Sequence, residues 1–372
     1  MTDLNQLFHR TPLAGGAILA LRRCWALQSL ERSISTNLRD LKNAKKEWSQ
    51  RLFNVPRAAG FRALAAAPST VPDQNVVGVG IGEQIVDDKP TGAIALKFLV
   101  RFKYPVHELS RRVLLPKSVN GLLVDVEEVG FFRRFVTARP KKTVQAATVM
   151  PDPKAKLRPA QPGCSIGYRD PNNEVIMAGT FGALVKDNKG VYILSNNHVL
   201  ADENRLPVGA GIYQPGLLDG GSPETDQIAA LSRFIELKAT GNQVDCAIAK
   251  AANKNLVSAD VLRIGEPAGT TQAAIDMSVH KFGRTTAYTV GRVTSIDTDV
   301  AVGYETGNFT FLEQIIIVGQ NEIPFSGGGD SGSLILERQT NNAIGLLFGG
   351  SNTHTIANHI EDVLEALKVN LA

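Results

Sequence analysis

The sequence predicts a mostly β protein with a helical amino-terminal segment, and three observations support that class. From residue 76 onward, short apolar segments alternate with turn residues, as in VVGVGIG, AIALKFLV and GVYILSNNHVL. Glycine is frequent, with 34 residues, and aromatic residues make up only 6% of the chain, which favours short strands and tight turns. Residues 1–66 lack this strand alternation. We therefore expect strands over most of the chain and a helix near its start.

The segment 29–53 predicts an amphipathic helix that packs on the rest of the chain. Its apolar residues recur near helical spacing among many charges. They are Leu30, Ile34, Leu38, Leu41, Trp48 and Phe53. A basic helix that contacts a membrane or a nucleic acid, or a disordered segment, is the alternative. Residues 1–66 are accordingly assigned to a basic helical segment.

Residues 67–137 predict a small α+β module built on three short strands, VVGVGIG, AIALKFLV and GLLVDVEEV. GVGIG lacks the spacing and the Lys-Ser/Thr of a nucleotide-binding loop, so a glycine-rich strand is the better interpretation. The five prolines and weak periodicity of 137–163 predict a linker, which we place at 138–163.

Residues 164–372 predict a second, larger domain of all-β barrel or sandwich type. Strand-like segments follow one another with turns between them, from GTFGALVKD to AIGLLFGG. The last segment, NHIEDVLEALKV, has helical periodicity and predicts a terminal helix.

The charge is divided unevenly between the two parts. Residues 1–160 carry 26 Lys/Arg and 13 Asp/Glu, a net charge of +13, whereas residues 161–372 carry 14 and 23, a net of −9. This division predicts either different partners or docking of one part on the other. A membrane or nucleic-acid contact through the basic part, and a homo-oligomer, are further possibilities.

The composition also bears on the compartment. No apolar run reaches the roughly 18 to 20 residues that a membrane span needs. LAGGAILAL is followed by RRCW and not by a signal-peptide cleavage site. The three cysteines, Cys24, Cys164 and Cys246, are odd in number and far apart, which argues against a disulfide framework. We expect a cytoplasmic protein.

The stretch FSGGGDSGSLI, residues 325–335, predicts a nucleophile beside an oxyanion site. Backbone N–H groups aimed at a developing oxyanion need an approach free of side chains, which glycine provides. The amides of Gly329 and Ser331 could converge on one point, and Ser331 would be the nucleophile. A serine hydroxyl needs an adjacent base to take its proton.

His198 is the candidate base, because it stands where the apolar strand YILSNNHVL ends in a polar turn. Asp245, at the head of the alternating strand in QVDCAIAK, is the candidate that orients the imidazole; Asp226 and Asp260 are weaker alternatives. The remaining histidines do not end an apolar strand in this way. They are His9, His107, His280, His354 and His359.

These three segments resemble those of trypsin-like, chymotrypsin-fold serine proteases across 164–372. LSNNHVL is similar to the family's histidine segment, VDCAIAK to its aspartate segment and GGGDSGSLI to its Gly-Asp-Ser-Gly segment. The resemblance implies a chymotrypsin-like double β-barrel with the triad in the cleft, and AIGLLFGGSN resembles the substrate-binding strand. GVGIG and NGLLVDVEEVG resemble the narrow-leaf-type group from bacteria and plants.

The chain also departs from the family pattern. In family members made as zymogens, the aspartate that Asp330 resembles pairs with a new amino terminus that cleavage creates. No activation sequence precedes GTFGALV in this chain, so we expect Asp330 to have a different partner. The resemblance puts Phe325 at the base of the substrate pocket, with Gly349 and Gly350 on its wall. An uncharged base predicts an apolar or small residue before the cleaved bond.

The combined expectation is an intracellular serine endopeptidase that acts on a protein or peptide through His198, Asp245 and Ser331. Its amino-terminal part would restrain it. No metal or cofactor is required by this chemistry. The alternative is a catalytically inactive peptide-binding or scaffold protein of the same fold.

Overall fold

Strands are the predominant regular structure in the part of the chain that the structure describes, and they lie in two sheets. The structure is a computed structural model that describes residues 37–53, 75–87, 89–109, 114–134, 151–169 and 177–372. The helix α1 spans 37–53, so the predicted mostly β class with an amino-terminal helix is confirmed. Of the predicted helix 29–53, residues 29–36 lie outside the described residues.

The remaining elements follow in chain order. The strands of the amino-terminal part are β1 Val76–Val86, β2 Lys89–Val100, β3 Ser118–Val119, β4 Leu122–Glu128 and β5 Arg133–Arg134. Those of the next part are β6 Ser165–Tyr168, β7 Gly179–Thr180, β8 Ala183–Asp187, β9 Gly190–Ser195, β10 Gly211–Tyr213, β11 Gln227–Phe234 and β12 Ala247–Ala251. The last are β13 Gly269–Thr270, β14 Ser278–Gly283, β15 Ala287–Gly303, β16 Asn308–Gly319, β17 Leu334–Glu337, β18 Asn342–Gly350, β19 His354–His359 and β20 Asn370–Leu371. The other described helices are α2 Asn197–Leu200, α3 Ile360–Leu367 and three single-turn 3-10 helices, Val106–Glu108, Leu217–Asp219 and Lys254–Leu256.

The first barrel closes because one stretch of chain pairs on both of its sides. The order of pairing is β8-β9-β12-β11-β10-β6-β7. Since β7 and β8 are separated by only two residues, they act as one bent strand that pairs with β6 at its start and with β9 at its end. Six strands therefore form a closed barrel around an apolar core that includes Ile193, Leu194 and Ile248.

The second barrel closes through a direct pairing of its outermost strands. The order β14-β17-β18-β19-β16-β15 returns to its start because β14 also pairs with β15. Its core contains Val279, Ile317, Ile335 and Leu347, all buried. The predicted double barrel is confirmed by these pairings, and a closed barrel leaves no unpaired edge along its wall.

The amino-terminal strands extend the sheet of the second barrel. β1 pairs antiparallel with β15 and with β2, and β2 pairs parallel with β4. α1 covers this extension, burying Leu41 and packing Trp48 edge-on against Phe98 at a ring distance of 5.0 Å. A buried ion pair, Lys45 Nζ to Asp299 Oδ1 at 2.8 Å, joins α1 to β15.

The glycines of GVGIG are required by the close approach of β15. A Cβ on Gly80 would lie 2.2 Å from Oγ1 of Thr298, and one on Gly82 would lie 2.5 Å from the carbonyl oxygen of Thr294. Side chains at these positions would push β1 away from β15 and break their pairing. The predicted glycine-rich strand is confirmed as β1.

Residues 151–163, part of the predicted linker, pack along the first barrel. The N–H of Ala160 donates to Leu256 O at 2.7 Å, and Ala160 is fully buried. The division of the chain at residues 66, 137 and 163 stays a prediction, and residues 135–150 lie outside the described residues.

Candidate active site

His198 and Asp245 form a buried pair at one end of the first barrel. Nδ1 of His198 lies 2.5 Å from Oδ2 of Asp245, and the backbone N–H of His198 reaches Oδ1 at 3.3 Å. Both side chains are fully buried. The Asp245 carboxylate therefore contacts both the backbone N–H and Nδ1 of His198, which fixes the ring with Nε2 directed away from Asp245. Among the described residues Nε2 has no hydrogen-bond partner.

The sequence around His198 folds so that this pair meets. β9 ends at Ser195, Asn196 precedes the single turn of α2, and His198 lies within that turn. The side chain of Asn196 donates to the backbone oxygen of Asp245 at 2.8 Å. Since β9 and β12 are paired neighbours, the ends of the two strands bring the histidine and the aspartate together.

Two side chains from the second barrel also hold Asp245, and no pattern in the sequence indicated either of them. The hydroxyl of Tyr304 donates to Oδ2 at 2.7 Å, and Asn358 accepts from the backbone N–H of Asp245 at 3.0 Å. The Tyr304 ring meets the His198 ring edge-on at 5.7 Å. Burial and the Asp245 charge raise the pKa of Tyr304 well above its ordinary value, so this hydroxyl remains a donor.

Ser331 lies in the loop before β17, across the interface between the two barrels. Its hydroxyl donates to Phe348 O at 3.2 Å and not to His198. The carbonyl of Ser331 accepts from the N–H of Thr180 at 2.8 Å. A Cβ added at the adjacent Gly179 would touch both the side chain of Val199 and the carbonyl of Ser331. The serine loop and the histidine helix therefore flank one thin segment.

The amides next to Ser331 are available to a ligand. Among the described residues, neither the N–H of Gly329 nor that of Ser331 donates a hydrogen bond. Gly329 has φ +98°, a left-handed conformation that favours glycine. Gly332 has φ +93°, and a Cβ there would lie 2.1 Å from Oγ of Ser195. Glycine is therefore required by backbone conformation at Gly329 and Gly332, and at Gly332 also by the close approach of Ser195.

Asp330 is held from within the second barrel. Oδ1 accepts from the N–H of Thr285 at 2.8 Å, and Oδ2 accepts from the hydroxyl of Thr286 at 2.6 Å. Nζ of the fully buried Lys281 lies 3.5 Å from Oδ2. Burial lowers the pKa of Lys281, and the Asp330 charge opposes that effect. The carboxylate therefore has an internal cation and requires no new amino terminus.

The predicted pocket residues differ in their surroundings. Phe325 is buried in the apolar core of the second barrel, with its ring centroid 5.6 Å from Nζ of Lys281. Gly349 and Gly350 end β18, where they pair with β5, and a Cβ on Gly349 would lie 2.8 Å from Arg133 O. The assignment of these three residues to a substrate pocket stays a prediction.

The alternative carboxylates contact other partners. Asp226 pairs with Lys156, and that interaction lowers its pKa, while Asp260 is exposed and contacts Ser258. Of the other histidines, His280 contacts Tyr288 and Asn341, and His354 contacts Glu127. His9 and Cys24 lie outside the described residues. Burial raises the pKa of the Cys246 thiol beside Asp245 well above its ordinary value, so this cysteine stays protonated.

The described part of the chain has neither a metal-binding cluster nor a membrane-spanning helix. No group of three or more His, Cys, Asp or Glu side chains in it is placed to hold a metal ion. None of its helices has the length and apolar character needed to cross a membrane.

Comparison with protein families gives one match over part of the chain. Residues 241–361, less than half of the chain, match the Nal1 C-terminal domain. This stretch contains Asp245 and Ser331 but not His198. No curated protein sequence matches.

Comparison with solved structures gives remote likenesses to serine proteases. A glutamic acid specific serine protease is 17% identical, with a TM-score of 0.42, covering 57% of this chain and 100% of that one. Thermobifida fusca protease A is 18% identical, with a TM-score of 0.40, covering 57% and 97%. Cellulomonas bogoriensis chymotrypsin is 19% identical, with a TM-score of 0.38 and the same coverage. At this distance, the fold assignment rests on the strand pairing described above.

Proposed function

We propose that the chain is a serine endopeptidase in which His198, Asp245 and Ser331 form the triad. The observation that carries this proposal is the buried His198–Asp245 pair with an unpartnered Nε2, on a helix whose next residue, Val199, packs across Gly179 from the Ser331 carbonyl. An imidazole held at Nδ1 by a carboxylate is prepared to accept a proton at Nε2.

In the proposed reaction, Oγ of Ser331 attacks the carbonyl carbon of a peptide bond and Nε2 of His198 takes the hydroxyl proton. Asp245 stabilises the imidazolium that forms, and Tyr304 keeps the carboxylate oriented through Oδ2. The free amides of Gly329 and Ser331 bind the oxyanion. His198 then delivers its proton to the leaving amine, and water hydrolyses the resulting acyl-serine.

This chemistry requires Ser331 to leave the conformation seen here. Its hydroxyl now donates to Phe348 O, so a rotation of the side chain must carry Oγ from that carbonyl to Nε2 of His198. Such a rotation is a change between staggered side-chain conformations. Substrate binding along β18 would engage Phe348 O and free the hydroxyl.

The hydrogen bond from the Ser331 hydroxyl to Phe348 O favours a second candidate, a catalytically inactive peptide-binding protein. A serine that stays on Phe348 O would leave His198 without a proton donor.

The proposal also includes a preference for an apolar or small residue before the cleaved bond, membership of the narrow-leaf-type group and a cytoplasmic location.

Fluorophosphonate labelling distinguishes the two candidates. We expect the wild-type chain to be labelled on Ser331 and to cleave casein, and Ser331→Ala to lose both signals. His198→Ala should lower the labelling rate by several orders of magnitude, because the triad acts as a unit. A chain that is folded yet resists labelling, or a Ser331→Ala variant that still cleaves casein, would refute the endopeptidase.

A further inference from the structure

A short segment of the amino-terminal part lies along the end of β18. β5 pairs antiparallel with β18, with Arg134 opposite Gly349 and Arg133 opposite Gly350. The preceding residue, Phe132, is buried in an apolar cluster that includes Phe348 and Tyr304. β5 therefore adds a strand at this place in the way that extended peptides bind to exposed sheet edges.

The register of β5 leads toward Ser331. Because the pairing is antiparallel, a peptide strand continuing past Gly349 places its next residue opposite Phe348. Phe348 O is the acceptor of the Ser331 hydroxyl. The carbonyl of that next residue would meet the nucleophile, so Arg134 stands where the preceding residue of a substrate would stand.

The side chain of Arg134 fills an acidic pocket beside the His198–Asp245 pair. Nε lies 2.7 Å from Oε1 of Glu203, and a terminal nitrogen contacts Oε1 of Glu305. Arg134 and Glu203 are fully buried, while Glu305 is 41% exposed. Glu203 follows His198 by five residues, and Glu305 follows Tyr304, which donates to Asp245.

The pocket is built independently of the arginine. Oε2 of Glu203 accepts from the N–H of Thr306 at 2.9 Å and from its hydroxyl at 2.6 Å, and Oε1 accepts from the N–H of Glu305 at 3.2 Å. The carboxylate is thus fixed by the β15–β16 turn. Its fixed position, with a second carboxylate beside it, suits the planar fork of a guanidinium better than the point charge of a lysine.

We infer that the pocket between Glu203 and Glu305 is an arginine subsite for extended peptides, and that Arg134 of the same chain occupies it. The substrate class is a peptide with arginine immediately before the residue whose carbonyl meets Ser331. β5 thereby competes with substrate for the groove. This inference rests on the proposed function, because it names a substrate for the same cleft.

Peptide binding to full-length variants tests the inference without requiring turnover. The Ser331→Ala chain and the Arg134→Ala/Ser331→Ala chain are titrated with a fluorescent peptide, FFRRF, that has the sequence of residues 131–135. Once its arginine is removed, β5 is held only by its strand pairing with β15 and β18 and by the buried Phe132. We expect at least tenfold tighter binding to the chain that lacks Arg134.

Two matched peptides report whether the pocket selects arginine. Replacing the second arginine of FFRRF by glutamine should weaken binding at least tenfold, because the buried Glu203 loses its cation, whereas Glu305 keeps its contact with Arg205. Replacing the first should change binding less than threefold, since its equivalent Arg133 is exposed. Adding Glu305→Lys to the double variant should remove the difference between the two peptides.

Arg134→Lys/Ser331→Ala keeps a cation on Glu203 and covers the case in which Arg134→Ala does not fold. It should bind FFRRF with an affinity between those of the other two chains. Equal affinity for both glutamine peptides, or unchanged binding in a folded Arg134 variant, would overturn the inference. Selective binding by a chain that fails fluorophosphonate labelling would uphold the subsite and refute only the endopeptidase.

Discussion

Lys281 and Arg134 are both buried cations at the cleft, but they come from different parts of the chain. Lys281 belongs to β14 of the second barrel, and its partner Asp330 lies in the serine loop of that barrel. Arg134 belongs to β5 of the amino-terminal part, and its partner Glu203 lies in the first barrel, in the loop after α2. One pair is internal to a barrel, and the other crosses between parts.

The two pairs therefore have different roles: one shapes the candidate site, and the other holds a segment over it. The Lys281–Asp330 pair fixes the loop that carries Ser331, so the loop needs its cation in every state. The Arg134–Glu203 pair holds a strand in the groove along β18, so its loss should open that groove. Removing one member of a buried pair leaves an uncompensated charge, and we therefore expect both losses to reduce stability.

Among substitutions in these two ion pairs, Lys281→Met should produce the largest effect on activity. Asp330 would keep its backbone donors but lose its cation, so we expect the unfolding free energy to fall by about 3–5 kcal/mol. Displacement of the Gly329 and Ser331 amides should slow labelling of Ser331 by about a hundredfold. Denaturant unfolding and labelling kinetics measure the two effects.

The matched control is Lys281→Met/Asp330→Asn, which removes both charges and should recover part of the lost stability. A Lys281→Met chain with wild-type stability would show that the hydrogen bonds of Asp330 suffice alone.

Arg134→Ala should act in the opposite direction on activity. With β5 released, we expect the rate of fluorophosphonate labelling to rise by about tenfold, while stability falls because Glu203 loses its cation. Lys89→Ala, which removes an exposed cation from the same amino-terminal part, serves as the control. Slower labelling of a folded Arg134→Ala chain would mean that β5 supports the site and does not obstruct it.

Tyr304→Phe should have a smaller effect, because it removes one hydrogen bond to Asp245 and leaves the ring in place. A hydrogen bond to a charged carboxylate contributes about 1.5–3 kcal/mol in all, and because Tyr304 affects the rate only through the orientation of Asp245, we expect roughly a fivefold loss of rate. Tyr288→Phe removes a hydroxyl that contacts His280 and is the matched control. Equal kcat for Tyr304→Phe and wild type would exclude Tyr304 as a positioning residue.

Glu127→Gln should change the way in which stability depends on pH and should leave the cleft unaffected. Burial raises the pKa of Glu127, but the hydrogen bond with His354 and the charge of Lys97 outweigh it and hold that pKa at about 2. The carboxylate therefore stabilises the fold above its unfolded pKa of 4.5, and this contribution disappears as pH falls toward 2.

The loss amounts to at most about 3 kcal/mol across that range. Thermal melts from pH 5 to pH 2 should fall more steeply for wild type than for Glu127→Gln. Glu128→Gln, at an exposed position on the same strand, should follow wild type. Parallel curves for wild type and Glu127→Gln would contradict the pKa assignment.

Local patterns predicted the strands well. Alternation placed the segments that become β1, β9, β12 and β18, and the failure of GVGIG to match a nucleotide loop correctly indicated a strand. Helical spacing located part of α1, and buried Leu41 lies on the predicted face. Backbone periodicity depends on neighbouring residues, so a single sequence carries that information.

The contacts that surround the site residues could be predicted less well from the sequence. The residue types at His198 and Asp245 were sufficient to expect a contact, and the structure brings these two together; their catalytic roles, and that of Ser331, stay predictions. Tyr304 had no signal, because a single tyrosine in a turn contacts Asp245 only after β15 and β16 have brought that turn to the first barrel. The contact of Lys281 with Asp330 could not be predicted for the same reason, because in the sequence Lys281 is an ordinary cation within a strand.

The sequence by itself determined the class of the fold and the three candidate residues, because short-range periodicity and reactive residue types are local properties. Only the tertiary structure decided that β15 receives β1, that Lys281 neutralises Asp330 and that Arg134 enters the pocket of Glu203. These contacts join residues from 49 to 222 positions apart, as the differences 330 − 281 and 300 − 78 give. Such distant pairings depend on how whole barrels and strands pack, which no local pattern encodes.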